Sequence, residues 1–274
     1  MFDVTMAGPE EGRPILLLHG FPQSAQSWSA VSEVLVRQGF RTIAPDQRGY
    51  SKGARPTDVS AYTFKAFMSD ALGIADALNL SRFDLSGFGM GAALSWMIAA
   101  AQPDRVRSLM ALRFPHPAAF AKAVREDPEQ QQEWQKIENK MNINTLASVE
   151  ARAAAQLEND AAPFRRFLLD SGLPAAITEK YVKRLQEPGA LAGALSWHQA
   201  ISLDEFASVP VVTVPTLFVW SEGPALTART AKATANYVNA EYEERFLQDV
   251  GHFFLETAPQ EIAPLLLDHL NMTK

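Results

Sequence analysis

The chain contains Leu85-Ser86-Gly87-Phe88-Gly89-Met90-Gly91-Ala92, in which glycine occupies every second position from 87 to 91. The spacing is typical of a sharp turn that leads from a buried strand into a helix and carries a nucleophilic side chain at its centre. The central residue here is Gly89, which has no side chain. The sequence therefore predicts the turn without its nucleophile.

Apolar runs and amphipathic segments alternate along both ends of the chain. Strands are predicted over 15–18, 42–44, 82–85, 106–112, 216–220 and 243–247, and helices over 29–38, 64–78, 92–101, 227–237 and 260–270. Because strands alternate with helices, this order predicts an α/β fold with a mostly parallel, doubly wound sheet.

The middle of the chain has a different pattern. From about 117 to 208 the sequence is charged, punctuated by prolines and without convincing strands. Helices are predicted there over 129–140, 145–157, 163–169, 178–186 and 190–200. We interpret 117–208 as a helical lid inserted into a core that is formed by 1–116 and 209–274.

Composition excludes several classes of protein. A net charge of −6 argues against nucleic acid or an anionic membrane as a partner. The absence of cysteine excludes disulfides, thiolate metal sites and a Cys nucleophile. The start of the chain does not resemble a signal peptide, and its longest apolar stretch, 92–101, is too short to span a bilayer. We expect a cytoplasmic protein with a small-molecule substrate, no cofactor and no metal; a homodimer is one option for its assembly.

Several separate motifs occur in one characteristic order. They are His19-Gly20-Phe21-Pro22, Pro45-Asp46-Gln47-Arg48-Gly49-Tyr50, the glycine turn, Pro115-His116-Pro117, Trp197-His198 and Gly251-His252. In this order and spacing the chain resembles the epoxide-hydrolase-like branch of the α/β-hydrolase family over nearly its whole length. The resemblance implies an α/β-hydrolase fold with a helical lid. It does not fix the reaction, because one fold supports many chemistries.

The residues that would carry out hydrolysis are the ones that differ from the family. Similar members carry Gly-His-Asp-Trp-Gly at the turn, with the Asp as nucleophile, where this chain has Gly89. The acid that orients the histidine is implied at Pro224, so both are degenerate triad positions. Glu222 nearby is either a replacement acid or a solvent-facing residue. In the lid, His198 stands where relatives have a Tyr that polarises an epoxide oxygen.

The remaining polar groups suit proton transfer. The resemblance implies an oxyanion hole formed by the backbone N–H groups of Phe21 and Met90. His252 is predicted to act as the catalytic base and His198 to share the proton, because imidazole exchanges protons near neutral pH. Arg113 ends a predicted strand at the ligand edge of the sheet. It either anchors a ligand oxygen or pairs with a carboxylate of the lid.

Substrate-binding residues are predicted around these groups. They are Gly89, Phe88, Arg113, His116 and Trp197. For His116 a structural role in the Pro-His-Pro hinge is the alternative. His19 and Asp46 are predicted to be structural.

These features predict a non-hydrolytic enzyme that performs cofactor-independent acid–base chemistry on a carbonyl- or epoxide-bearing metabolite. Cyclisation, elimination and isomerisation fit, and specialised biosynthesis is a plausible setting. The alternatives are a non-catalytic binding protein and a residual hydrolase in which His252 activates water. The glycines at 87 and 89 also match a dinucleotide fingerprint, but they follow the third predicted strand rather than the first, which argues against that cofactor.

Overall fold

A seven-stranded sheet forms the centre of the protein, with strand order β1-β3-β2-β4-β5-β6-β7. The computed structural model describes residues 1–141, 147–221, 223 and 225–273. The strands are β1 (Val4–Ala7), β2 (Arg13–Leu18), β3 (Phe40–Pro45), β4 (Phe83–Phe88), β5 (Val106–Leu112), β6 (Thr216–Ser221) and β7 (Tyr242–Leu247). β1 pairs antiparallel with β3, and the other neighbours pair parallel. The predicted mostly parallel sheet is confirmed.

Helices cover both faces of this sheet. They are α1 (Ser29–Arg37), α2 (Phe64–Ala77), α3 (Met90–Ala101), α4 (Pro117–Glu126), α5 (Pro128–Met141), α6 (Val149–Asp170), α7 (Ala175–Leu185), α8 (Ala190–Gln199), α9 (Leu203–Ala207), α10 (Ala228–Ala233), α11 (Phe254–Thr257) and α12 (Pro259–Met272). Successive residues of β2 alternate between the faces: Ile15 and Leu17 belong to one core cluster, Leu16 and Leu18 to the other. This double coverage explains why the strand is apolar throughout.

Helices α4 to α9 lie between β5 and β6 in the chain. The described part of 117–208 contains no strand, in agreement with the helical pattern of its sequence. α6 is interrupted at Glu158–Ala161, where three residues have positive φ, so it consists of two helical parts. The predicted helix 145–157 begins at two positions outside the described residues. The division into core and lid remains a prediction.

Several elements differ from the sequence prediction, which gave no helix for α4, α9 or α11. β1 was not predicted, because it is a four-residue edge strand that is mostly exposed and lacks an apolar alternation. The predicted helix 227–237 is α10 followed by a 3₁₀ turn, Thr234–Tyr237. In the described residues, no helix is long and apolar enough to cross a membrane.

Candidate functional site

A cavity of about 380 Å³ opens at the carboxyl ends of the central strands. Its walls are mostly apolar and come from the loops of the sheet and from helices of the inserted segment. The polar side chains among its lining residues are Gln23, Arg113, Asp170, Ser171, His198 and His252. Ligands of open α/β sheets bind at this edge, so the cavity is the candidate site.

The glycine turn, residues 87–91, forms one side of the cavity. β4 ends at Phe88 and α3 begins at Met90, and Gly89 joins them at φ 55° and ψ −119°. A Cβ on Gly87 would lie 2.2 Å from the carbonyl oxygen of Gly91, and one on Gly91 would lie 2.3 Å from that of Leu18. The predicted strand-turn-helix is confirmed, and two of its glycines are required by close backbone approach.

Gly89 itself is not confined by its neighbours. A Cβ built there would have its nearest heavy atom, the Cα of Gly20, 3.9 Å away. Only the positive φ disfavours a side chain at this position. The turn therefore has space for the side chain that the sequence lacks.

The two predicted oxyanion-hole residues, Phe21 and Met90, both line the cavity. Met90 is the first residue of α3, where backbone N–H groups have no partner within the helix and attract negative charge. Phe21 follows β2 and precedes Pro22 in a cis peptide bond. Their joint role in binding an oxyanion remains a prediction.

Arg113 directly follows β5 and contacts the end of β6 and the loop after β7. Its Nε donates to Nδ1 of His252 at 3.2 Å, and its Nη1 donates to the carbonyl oxygen of Ser221 at 2.5 Å. His252 lies in the loop after β7, and Ser221 is the last residue of β6. Burial lowers the pKa of Arg113 to about 10, so the guanidinium is still charged at neutral pH.

His198 faces the cavity from the last turn of α8. Its ring meets that of Phe21 edge-on, with centroids 4.9 Å apart. Burial, with a smaller contribution from the charge of Arg152, lowers the pKa of His198 to about 4. The imidazole is therefore neutral at pH 7, and its buried Nδ1 has no hydrogen-bond partner in the part of the chain that the structure describes.

A family model described as the alpha/beta hydrolase fold matches residues 13–259. The chain belongs to the α/β-hydrolase-fold family. The predicted fold class is thus confirmed.

Relatives of this α/β-hydrolase-fold protein include epoxide hydrolases. It is 29% identical to the AB hydrolase superfamily protein YfhM of Bacillus subtilis (strain 168), over 97% of this chain and 93% of YfhM. It is 27% identical to Epoxide hydrolase 4 of Mus musculus, over 95% of this chain and 74% of that protein. These matches confirm the resemblance to epoxide-hydrolase-like proteins.

Solved structures of epoxide hydrolases share the fold. One, described as novel epoxide hydrolases in metagenomes from hot environments, has a TM-score of 0.82 at 25% identity and covers 98% of this chain and 94% of its own. Bacillus megaterium epoxide hydrolase in complex with an inhibitor has a TM-score of 0.84 at 22% identity, over 98% and 96%.

Two predicted substrate-binding residues do not line the cavity of this α/β-hydrolase-fold chain. Trp197 is buried against the core, where Nε1 donates to the carbonyl oxygen of Arg48 at 2.7 Å and the ring stacks on Phe67. Consecutive residues of a helix point in different directions, so only His198 of the Trp197-His198 pair reaches the cavity.

His116 also has a structural position. Its Nδ1 accepts from the N–H of Ala118 at 3.2 Å and so caps α4, while Nε2 donates to the carbonyl oxygen of Pro210 at 3.2 Å. Burial lowers the pKa of His116 to about 4. Both ring nitrogens are therefore used to hold the chain between β5 and α4, which corrects the expectation of a substrate contact.

His19 and Asp46, which were predicted to be structural, form hydrogen bonds that hold neighbouring loops. His19 is buried and uses both ring nitrogens, one toward the carbonyl of Gly20 and one toward the N–H of Gln47. Asp46 accepts from the N–H of Ala25 at 2.9 Å. The predicted acid positions Glu222 and Pro224 lie outside the described residues.

Sequence reasoning missed Glu256, whose carboxylate joins the cavity wall to α7. It accepts from Nε2 of Gln23 at 2.9 Å and from the hydroxyl of Tyr181 at 2.6 Å. Burial raises the pKa of Glu256 to about 7. The available signal was an acidic residue directly after the apolar run 253–255. Among the described residues, no group of three or more His, Asp or Glu could hold a metal ion.

Proposed function

We propose that this protein catalyses a non-hydrolytic, cofactor-independent acid–base reaction on a small carbonyl- or epoxide-bearing molecule. The observation that carries the proposal is Gly89. It occupies the centre of the turn from which this family presents a nucleophile, and glycine has no atom that could form a covalent intermediate. Pro224 at the implied acid position adds a second departure from the triad.

The groups that remain around the cavity support proton transfer. Two imidazoles, His252 and His198, can exchange protons, and a neutral imidazole is available at physiological pH. The backbone N–H groups of Phe21 and Met90 would stabilise charge that develops on an oxygen. Cyclisation, elimination and isomerisation need no more than these functions.

The cavity favours a medium-sized, largely apolar substrate. Its volume of about 380 Å³ falls in the range of small-molecule sites, about 300–1,000 Å³. Its lining includes the aromatic side chains of Phe88, Phe114 and Phe120, and its polar groups come both from loops after the strands and from α6 and α8. The proposal includes a cytoplasmic location and a role in specialised biosynthesis.

Hydrolysis through a water activated by His252 is the second candidate. The observation in its favour is that the relatives are named epoxide hydrolases. Such a reaction would give a diol or an acid without a covalent enzyme intermediate, so its products distinguish it from the first candidate.

A first experiment tests for covalent and hydrolytic chemistry. The protein is incubated with styrene oxide or 4-nitrophenyl acetate, and intact mass and products are measured. We expect no adduct on the wild type, and no product above the uncatalysed rate for the wild type or for Gly89→Asp, because loss of the orienting acid alone costs about 10⁴ in rate in a triad. An adduct on residues 87–91 of the wild type, or diol formation that disappears in His252→Ala, would overturn the proposal.

A second experiment tests for proton transfer. Exchange of solvent deuterium next to the carbonyl is followed by mass spectrometry for a panel of cyclic ketones. We expect His252→Ala to slow exchange by about 10²–10⁴-fold, the usual value of acid–base catalysis, and His198→Phe to have a smaller effect. Exchange no faster than in buffer for every ketone would favour a non-catalytic binding protein instead.

A further inference from the structure

The space above Gly89 is a part of the cavity that borders two backbone N–H groups. Apart from the two neighbours in the chain, a Cβ at residue 89 would have no heavy atom closer than 3.9 Å, and that nearest atom is the Cα of Gly20. Phe21 directly follows that glycine in the chain, and Met90 directly follows Gly89. Because Phe21 and Met90 both line the cavity, they flank a space large enough for a side chain.

Both N–H groups are available to a ligand. Neither the N–H of Phe21 nor that of Met90 has a hydrogen-bond partner in the part of the chain that the structure describes. Met90 is the first residue of α3, a helix of 12 residues, so its N–H lies at the positive end of the helix dipole. Phe21 supplies its donor from a separate loop. Together the two donors favour a negatively charged group with two acceptor oxygens.

His198 is an independent sign that a polar ligand group binds in this part of the cavity. Its side chain is buried, with 8% of the residue exposed, and its ring packs against that of Phe21 while it lines the same cavity. Its buried Nδ1 has no hydrogen-bond partner among the described residues. Since buried polar side chains in proteins are paired with protein groups or with bound molecules, a ligand beside Phe21 would meet an imidazole with unused hydrogen-bonding capacity.

We propose that the space above Gly89 is a subsite for the terminal carboxylate of a larger ligand. A carboxylate on a methylene group has the size of an aspartate side chain, and its two oxygens match the two N–H donors. The cavity walls beyond it are mostly apolar, which suits the remainder of a carboxylic acid. In naming a substrate class the inference rests on the proposed function, whose charged oxygen then belongs to a carboxylate that the substrate carries.

Backbone amide shifts of the wild type test the subsite directly. The full chain is labelled with ¹⁵N-phenylalanine and ¹⁵N-methionine, and the variants Phe21→Tyr and Met90→Leu identify the two resonances. Sodium acetate, acetamide and sodium chloride are titrated separately. We expect acetate to shift both amides until the site is saturated, and acetamide, which has the same shape without the charge, and chloride to leave them in place. No saturable shift with acetate, or an equal shift with acetamide, would overturn the subsite.

Variants at residue 89 test where the carboxylate lies. Gly89→Asp places a carboxylate of its own in the space, so we expect the saturable shift with acetate to disappear. Gly73→Ala, a change at an exposed helical glycine with open space around it, is the matched control and should bind acetate as the wild type does. Acetate binding retained in Gly89→Asp would overturn the location. If that variant does not fold, Gly89→Ala replaces it, and unchanged affinity instead of a loss of about tenfold would overturn the location.

The length of the ligand distinguishes a substrate group from a free small anion. Acetate and 4-phenylbutyrate are compared through the same amide shifts. We expect phenylbutyrate to bind more tightly by about tenfold or more, because burial of even two methylene groups contributes that much. Equal affinities would overturn the assignment to a larger ligand. These measurements need no turnover, so a failed deuterium-exchange experiment would overturn the proposed function and leave the subsite in place.

Discussion

Different forces hold the glycine turn, which lines the cavity, and the contact between the core and α7, which reaches the cavity through Gln23. At the turn, the backbone of Gly87 and Gly91 approaches other backbone too closely for any Cβ. At the second contact, which we call the polar seam, Tyr181 and Gln23 donate to Glu256, and Arg184 pairs with Asp46 at 2.5 Å. The first region is therefore sensitive to volume, and the second to protonation.

The largest expected effect is at the turn. Gly91→Ala should lower the free energy of unfolding by about 3 kcal/mol or more, because its Cβ would overlap the carbonyl oxygen of Leu18. Urea unfolding followed by fluorescence measures this change. Gly73→Ala is the matched control: this exposed helical glycine has open space around it, and alanine there should raise stability by about 0.5–1 kcal/mol. Equal midpoints for Gly91→Ala and the wild type would show that the close approach is not rigid.

A smaller, pH-dependent effect is expected at the polar seam. Because the pKa of Glu256 in the folded protein is raised to about 7, folding favours its protonated form. The contribution of Glu256 to the free energy of unfolding is fully present below pH 4.5 and is lost as the pH rises through 7. Glu256→Gln mimics the protonated state and should be more stable than the wild type at pH 8 by about 1–3 kcal/mol.

Urea unfolding of Glu256→Gln at pH 5 and pH 8 gives the measurement. The two proteins should differ little at pH 5. Glu33→Gln, a change at an exposed residue of α1, should follow the wild type at both values. If the free energy of unfolding of Glu256→Gln changed with pH as much as that of the wild type, the carboxyl group of Glu256 would not be the cause of the pH dependence.

The smallest effect is expected at Gly89, where glycine is favoured by the positive φ and not, as at Gly91, by close approach of other backbone. Gly89→Ala should cost only about 1 kcal/mol, the lower end for an unfavourable φ, because the space above residue 89 is open. The unfolding midpoint, compared with that of Gly91→Ala, checks this difference. A loss as large as that of Gly91→Ala would show that the turn excludes every side chain.

The fold could be predicted because many of its strands and turns are encoded by residues that lie close together in the chain. The apolar run 15–18 and the glycine spacing at 87–91 depend on neighbours in the chain, and both are found as predicted. The hydrogen bond between Arg113 and His252 joins residues 139 positions apart. The sequence placed both at the ligand edge of the sheet but carried no local signal that they touch.

Motifs predicted less well which side chains face the cavity. The resemblance placed the pair Trp197-His198 at the ligand, whereas helix geometry sends the two side chains in different directions. His116, in the Pro115-His116-Pro117 motif, caps a helix instead of facing the cavity. Glu256 was missed because its partners, Gln23 and Tyr181, come from distant segments.

The order of strands has a consequence for how the chain folds. β5 pairs with β6 through 109–112 and 216–219, although helices α4 to α9 separate them in sequence. Joining strands so far apart closes a long loop, and such non-local pairing slows folding. Arg113, Ser221 and His252 can meet only after that closure. During synthesis, the ribosome therefore adds all residues of the glycine turn, 87–91, long before it adds His252.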